Sequence, residues 1–229
     1  MIYLTGDIHG HDTITKLAST RWPEGKTLTK DDYLIILGDF GLLWKDEPDA
    51  NEKYWIDWLN RKPWTTLFLD GNHENHDRLY SLPIEKKFNG RVGKVSDSIF
   101  HLKRGEVYII NNNTFFVMGG AFSIDRSVRI LDKSWWEAEL PSKEEYEYGL
   151  DNLINIGNKV DYVLGHTTSQ TAIEQMFKPR WLIEDPVALY FKELEKRITF
   201  KKFYFGHWHK DKDYKNYHAL YHDIVLLGE

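Results

Sequence analysis

Cysteine is absent from all 229 residues. That excludes disulfides, thiolate nucleophiles and sulfur metal ligands together, so any metal here must be held by nitrogen and oxygen. Long apolar runs are missing too. Stretches such as Tyr33–Leu37 and Ile224–Leu227 fall far short of the roughly 20 residues a membrane span needs. Met1–Leu4 runs straight into Gly6-Asp7 without a basic region, apolar stretch and cleavage site, so no secretory signal is read and a cytoplasmic location is expected. An excess of positive charge is also lacking: 30 Lys and Arg face 35 Asp and Glu, a net charge of -5. No global field is available to hold nucleic acid or an anionic membrane. Fixed-period repeats, Gly/Ser or Pro-rich linkers and charge blocks are absent as well, and the length fits a single domain over residues 1–229.

What is present alternates. Short apolar runs at Ile2–Leu4, Tyr33–Leu37, Thr65–Leu69, Tyr162–Leu164 and Phe203–Phe205 are predicted as buried strands. Helical patterns lie between several of them. Asp12 is positioned to cap a helix through Ile14 and Leu17, and Ser142 with Glu145 forms a capping box. Asp185-Pro186 opens a helix with Val187, Tyr190, Phe191, Leu194 and Ile198 on one face, and an amphipathic stretch over 52–61 must stop before Pro63. The alternation predicts an α/β layered domain. It breaks in the middle, where Ile99–Leu102, Glu106–Asn111 and Thr114–Met118 read as a meander bent at Arg104-Gly105 and Asn112-Asn113. Tyr217–Leu227 reads as a further strand pair.

Five predicted strands end alike, in a glycine followed at once by a potential ligand: Gly6-Asp7, Gly38-Asp39, Gly71-Asn72, Gly165-His166 and Gly206-His207. Loops beyond the carboxyl ends of strands form the ligand site of open α/β sheets, so these five are expected to converge. Glycine allows the sharp turn and is expected to leave space for an ion. With His9, His73 and His209 in the same loops, the donors suit Mn, Fe, Zn or related divalent ions. Asp7, His9, Asp39, Asn72, His166, His207 and His209 are too many for one ion, since a catalytic zinc usually takes three protein ligands. Two ions sharing a carboxylate would use all seven and would clamp an in-line displacement at phosphorus.

The ordered blocks Thr5-Gly-Asp-Ile-His-Gly10, Leu37-Gly-Asp39, Asp70-Gly-Asn-His-Glu74, Leu164-Gly-His166 and Phe205-Gly-His-Trp-His209 resemble the signature of the calcineurin-like metallophosphoesterase superfamily. The resemblance implies a two-sheet αββα sandwich with a dimetal site at the strand ends. It implies that Asp7, His9 and His209 hold one ion, that Asn72, His166 and His207 hold the other, and that Asp39 bridges. His73 then faces the phosphate, donating a proton to the leaving oxygen or stabilising transition-state charge. The implied activity is hydrolysis of a phosphomonoester or phosphodiester by in-line attack of a metal-bridging hydroxide. Manganese is the first candidate ion, with iron, zinc, nickel or magnesium as alternatives.

Two departures bear on the substrate. Serine/threonine protein phosphatases follow the Gly-Asp block with Asp-Arg-Gly, whereas Asp39 is followed by Phe40-Gly41-Leu42-Leu43, so the phosphate-gripping arginine and the aspartate that orients the histidine are both missing. The Gly-His-Trp-His block is closer to the phosphodiesterase and nuclease branches. Arg126 and Arg129, beyond the Gly119-Gly120 turn, are candidates for the missing grip. Trp135, Trp136 and Trp208 are candidates to stack on a nucleobase, whereas Trp55 and Trp58 are read as core. Specificity is expected from the variable segment of about 83–159. Glu74 is read as orienting its loop. His11 and His76 are read as neighbours of the site, and His101, His218 and His222 gain nothing from the pattern. The partner expected is a small phosphorylated or nucleotide substrate, with tight nucleic-acid binding disfavoured and oligomeric state open. The alternatives are a nuclease acting on DNA or RNA ends and a non-catalytic scaffold that keeps the fold.

Overall fold

The computed structural model describes residues 1–179 and 184–228. The apolar runs become two mixed sheets. β1 (Ile2–Thr5), β2 (Tyr33–Leu37), β3 (Thr65–Leu69), β4 (Ile84–Lys87), β5 (Gly90–Ser96) and β6 (Ile99–Leu102) build one sheet; β7 (Val107–Ile110), β8 (Asn113–Met118), β9 (Tyr162–Gly165), β10 (Lys202–Phe205), β11 (Lys212–Tyr214) and β12 (Tyr217–Ala219) build the other. A last strand, β13 (Ile224–Leu226), returns to the first sheet. The strand orders are β13-β1-β2-β3-β6-β5-β4 and β11-β12-β10-β9-β8-β7. β1, β2, β3 and β6 run parallel, as do β8, β9, β10 and β12; antiparallel strands close the sheets.

Both faces of each sheet are covered, which is why the central strands are apolar on both sides. Leu4, Ile35, Leu37, Leu67 and Leu69 from the first sheet pack against Phe115, Val117, Leu164 and Tyr204 from the second, forming the middle of the sandwich. On the far side of the first sheet, Leu34, Ile36 and Phe68 meet Leu59 of α1 (Ala50–Asn60) and Leu79 of α2 (His76–Ser81). On the far side of the second, Phe116, Val163 and Phe205 meet α3 (Lys143–Asn155), α4 (Gln170–Phe177) and α5 (Pro186–Leu194) through Leu153, Met176 and Phe191. The expected αββα layering is present. Among the described residues no helix is long and apolar enough to cross a membrane.

The predicted helix starts are found at Ser142, whose hydroxyl accepts from Glu145 N–H (3.2 Å) while the Glu145 carboxylate accepts from Ser142 N–H (2.8 Å), and at Asp185, which accepts from Val187 N–H at 2.9 Å. Three expectations fail. The helix predicted from Asp12 is a single 3-10 turn, Ile14–Leu17, without a side-chain cap, and the chain is extended again at Ala18. The predicted meander is split: β6 pairs with β3 in the first sheet, while β7 and β8 form a hairpin in the second. Gly105 at φ +75° carries the chain between sheets instead of turning it back, a choice set by long-range packing. The C-terminal pair is split likewise, β12 lying in the second sheet and β13 beside β1. β4 and β5 lie in the segment where no strand was read.

Candidate metal centre

β1, β2 and β3 of one sheet and β9 and β10 of the other deliver their terminal loops to one place, as side-chain contacts between the loops show. His166 Nε2 lies 3.2 Å from Asp39 Oδ1 and 3.2 Å from Asn72 Oδ1, and its Nδ1 lies 4.0 Å from Asp7 Oδ1. His209 Nε2 is 3.1 Å and His9 Nε2 3.6 Å from Asp7 Oδ2, and these two nitrogens are 2.9 Å apart. His9 Nε2 is also 3.7 Å from Asp39 Oδ2. The His207 ring is centred 5.0 Å from that of His166, and its backbone N–H donates to Asp7 Oδ1 at 3.0 Å. All seven side chains named from the sequence are thus brought together.

The backbone is bent to achieve this. His9, Asp39, His207 and His209 all adopt positive φ, at +44°, +47°, +66° and +47°. Such conformations cost of order 1–3 kcal/mol each for non-glycine residues and concentrate at functional sites. The glycines let the loops approach one another closely. A methyl on Gly71 would lie 2.1 Å from Asp39 Oδ1, and one on Gly206 would lie 2.2 Å from Asp7 Oδ1. The space they leave lets a neighbouring loop's carboxylate approach the backbone closely.

Charge and hydrogen bonding test whether cations fit. Asp7 and Asp39 are buried, at 0% and 1% exposure. Burial would raise both carboxyls, but His166 holds each well below the ordinary carboxylate range. Burial disfavours a proton on His166, yet Asp39 and Asp7 push it up to about 10. Burial and the His166 charge take His207 down to about 4. One oxygen, Asp7 Oδ2, is buried without a hydrogen-bond donor, although two imidazole nitrogens stand beside it. A buried carboxylate flanked by imidazoles, with no donor aimed at it, is what a divalent cation satisfies. The donor atoms of Asp7, His9, Asp39 and His209 all lie within 4.8 Å of one another. The nitrogen and oxygen set fits divalent metal.

His73 flanks this group. Its backbone N–H donates to Asp39 Oδ1 at 2.8 Å. Where the sequence lacks an orienting aspartate, the structure has Arg129, whose Nη1 and Nη2 lie 3.1 Å from His73 Nδ1 and Nε2. Burial lowers the His73 pKa, Asp39 opposes this and Arg129 adds to it, so the ring is neutral and accepts from the guanidinium. A neutral imidazole has one acceptor nitrogen, so only one of these contacts is a hydrogen bond at a time. Arg129 also pairs with Asp125, Nε to Oδ2 at 2.8 Å. Arg126 lies elsewhere: its Nε donates to buried Glu139 at 2.7 Å, and its guanidinium packs on Phe122 and Trp135. Trp136 is buried and donates to Asp77, while Trp208 stacks on Phe177 with centroids 4.4 Å apart and rings 3° from parallel. Trp55 and Trp58 pack partly buried against the first sheet's helical layer. Glu74 holds the loop after β2, accepting from the N–H groups of Phe40 (2.6 Å) and Gly41 (3.0 Å).

Several supporting residues gave no sequence signal. Lys16, 9% exposed, donates to the carbonyls of Gly6 and Asp7, both at 3.0 Å, and burial brings it down to about 8. Asp70 is gripped by Arg104 at 2.8 Å and by His101 at 3.1 Å. Asn72 Nδ2 donates to Ser123 Oγ at 3.0 Å, which donates to Glu139 at 2.7 Å. His218 pairs with Asp213 on the surface, and His11 lies near Asp12.

The family model for calcineurin-like phosphoesterases matches residues 1–211. No curated protein matches the chain.

Proposed function

We propose, because the chain belongs to the calcineurin-like phosphoesterase family, that its cleft binds two divalent ions and hydrolyses phosphate esters. The observation that carries this is the Asp7-His9-Asp39-His209 group, in which both carboxylates are buried, with its donorless carboxylate oxygen. Asp7, His9 and His209 would hold one ion, Asn72, His166 and His207 the other, and Asp39 both. When bound, divalent ions supply Lewis acidity and lower the pKa of water toward neutrality.

The chain's own groups then act on the ester. Asp39 is fixed by the His73 N–H, so its carboxylate stays placed between the two ligand sets. Arg129 turns both terminal nitrogens toward His73 in the wall of the recess, and a guanidinium so placed is suited to paired phosphate oxygens. An arriving phosphate competes with His73 for those donors. The freed His73 ring is then placed to donate a hydrogen bond to the ester oxygen that departs. Manganese suits the nitrogen and oxygen set, and a small phosphorylated compound in the cytoplasm is the substrate setting we favour.

The test is metal content together with hydrolysis of 4-nitrophenyl phosphate and bis(4-nitrophenyl) phosphate with Mn, Zn, Ni, Mg or Fe(II). We expect about two ions per chain, turnover abolished by chelator, and loss of both metal and turnover in Asp39→Asn. Full turnover in metal-free protein would overturn the proposal.

A further inference from the structure

Two recesses meet at His73, which borders both. The first, of about 470 Å³, has Asn72, His207 and His209 at its floor and Phe122, Ile173 and Trp208 among its walls. The second, of about 370 Å³, begins at His9 and is walled by Asp12, Trp44, Lys45, Asn51 and Glu52. Each exceeds the roughly 300 Å³ at which ligand pockets begin. Phosphorus seated over the ligand cluster carries one organic group in a monoester and two in a diester, so a monoester would leave one recess filled only by water.

Charge points the same way. Around the second recess the one lysine, Lys45, is tied to Asp49 at 2.6 Å, and Asp12 adds a further carboxylate. Glu52 is satisfied by Arg78 at 2.7 and 2.9 Å. In the first recess the cation is Arg129, shared with Asp125. Among the described residues neither recess offers an unpaired Lys or Arg to a second phosphate group. Uncharged substituents on both sides of the centre match this surround better than a chain carrying further phosphates does.

We infer that the substrate is a small phosphodiester monoanion, with an apolar or aromatic group in the first recess and an uncharged polar group in the second. The inference rests on the phosphoesterase reading above. It sets a small diester against a polynucleotide, whose neighbouring phosphates would fall in recesses where the described residues offer no free cation.

The experiment compares the metal-loaded protein on 4-nitrophenyl phosphate, thymidine 5′-(4-nitrophenyl phosphate) and the 3′-phosphorylated form of that diester, which share one leaving group. We expect kcat/KM for the uncharged-arm diester to exceed that for each of the other two at least tenfold. Filling the second recess with Asn51→Phe, at an exposed position on α1, should lower the diester-to-monoester ratio at least tenfold. A circular dichroism spectrum and melting curve like those of the parent chain show that this variant folds. Binding of diphenyl phosphate should exceed that of phenyl phosphate about tenfold by calorimetry. Preference for the monoester, preference for the 3′-phosphorylated diester, or a ratio unmoved by Asn51→Phe would overturn the inference while leaving a phosphoesterase. Absence of turnover on all three esters with every metal would instead overturn the phosphoesterase reading itself.

Discussion

Asn72 shows how a single side chain is made useful by residues far along the chain. Its amide has two ends, and the Nδ2 end is held by Ser123, itself anchored on Glu139 through both its N–H and its hydroxyl. The Oδ1 end is thereby left facing His166. Ser123→Ala removes that anchor, and outer-shell losses of this kind typically weaken metal binding 10–100-fold. We expect a weakening of that order for one of the two ions in a competitive chelator titration, with the other ion held as before. Five of the seven candidate ligands were legible because each follows a glycine at the end of a predicted strand, and His9 and His209 because they stand two residues further along two of the same loops. Ser123, Glu139, Lys16 and Arg104 were not, because each acts through partners at sequence separations that no local pattern encodes. Arg104, read as a turn residue before Gly105, is a buried partner of Asp70. Arg126 and Arg129 were indistinguishable by type, and only tertiary packing sends one to Glu139 and the other to His73.

Among elements, the parallel strands and the capped helices followed from periodicity and start signals, whereas sheet membership did not. β6 and β7 are separated by a turn like that of a hairpin, and the choice between turning back and crossing over depends on which apolar face is free to receive the next strand. Within the second sheet, the junction of the parallel neighbours β8 and β9 shows how a pairing is fixed. Asp161, just before β9, accepts from Lys201 Nζ at 2.7 Å and from Thr114 N–H at 2.8 Å, and these hold its carboxyl down at about 2, below the ordinary 3.8. A carboxyl lowered by folding stabilises the folded chain above its unfolded pKa, and that contribution is lost as pH falls through the folded value. Asp161→Asn should therefore be less stable at pH 7, by about 1 kcal/mol given the partial exposure of the pair. In urea titrations the gap should close between about pH 4 and pH 2. A gap that persists unchanged at pH 2 would show that the carboxylate charge is not responsible.

For the whole molecule, two buried carboxylates at the meeting point of both sheets make cation binding a matter of global stability. A ligand at 100 times its Kd adds about 2.7 kcal/mol, and a chain of this size gains roughly 2–4 °C in Tm per kcal/mol. Saturating manganese should thus raise the melting temperature by about 5–10 °C, a shift reversed by chelator and missing in Asp39→Asn. The αββα layering was legible in the alternation of strands and helices, and the convergence of five loops was legible in their shared ending. The two recesses were not, because they are bounded by Phe122 and Ile173 on one side and by the start of α1 on the other, positions without a common motif.

β13 lies against β1, pairing Thr5 with Ile224, and the Leu220 carbonyl sits where any side chain on Gly6 would fall. β1 therefore waits for a strand more than 200 residues further along the chain before it is flanked on both sides. Asp7 likewise waits for His209 to emerge. Contacts of such long sequence separation form slowly, so the side of the cleft that joins Asp7 to His209 belongs to the late steps of folding.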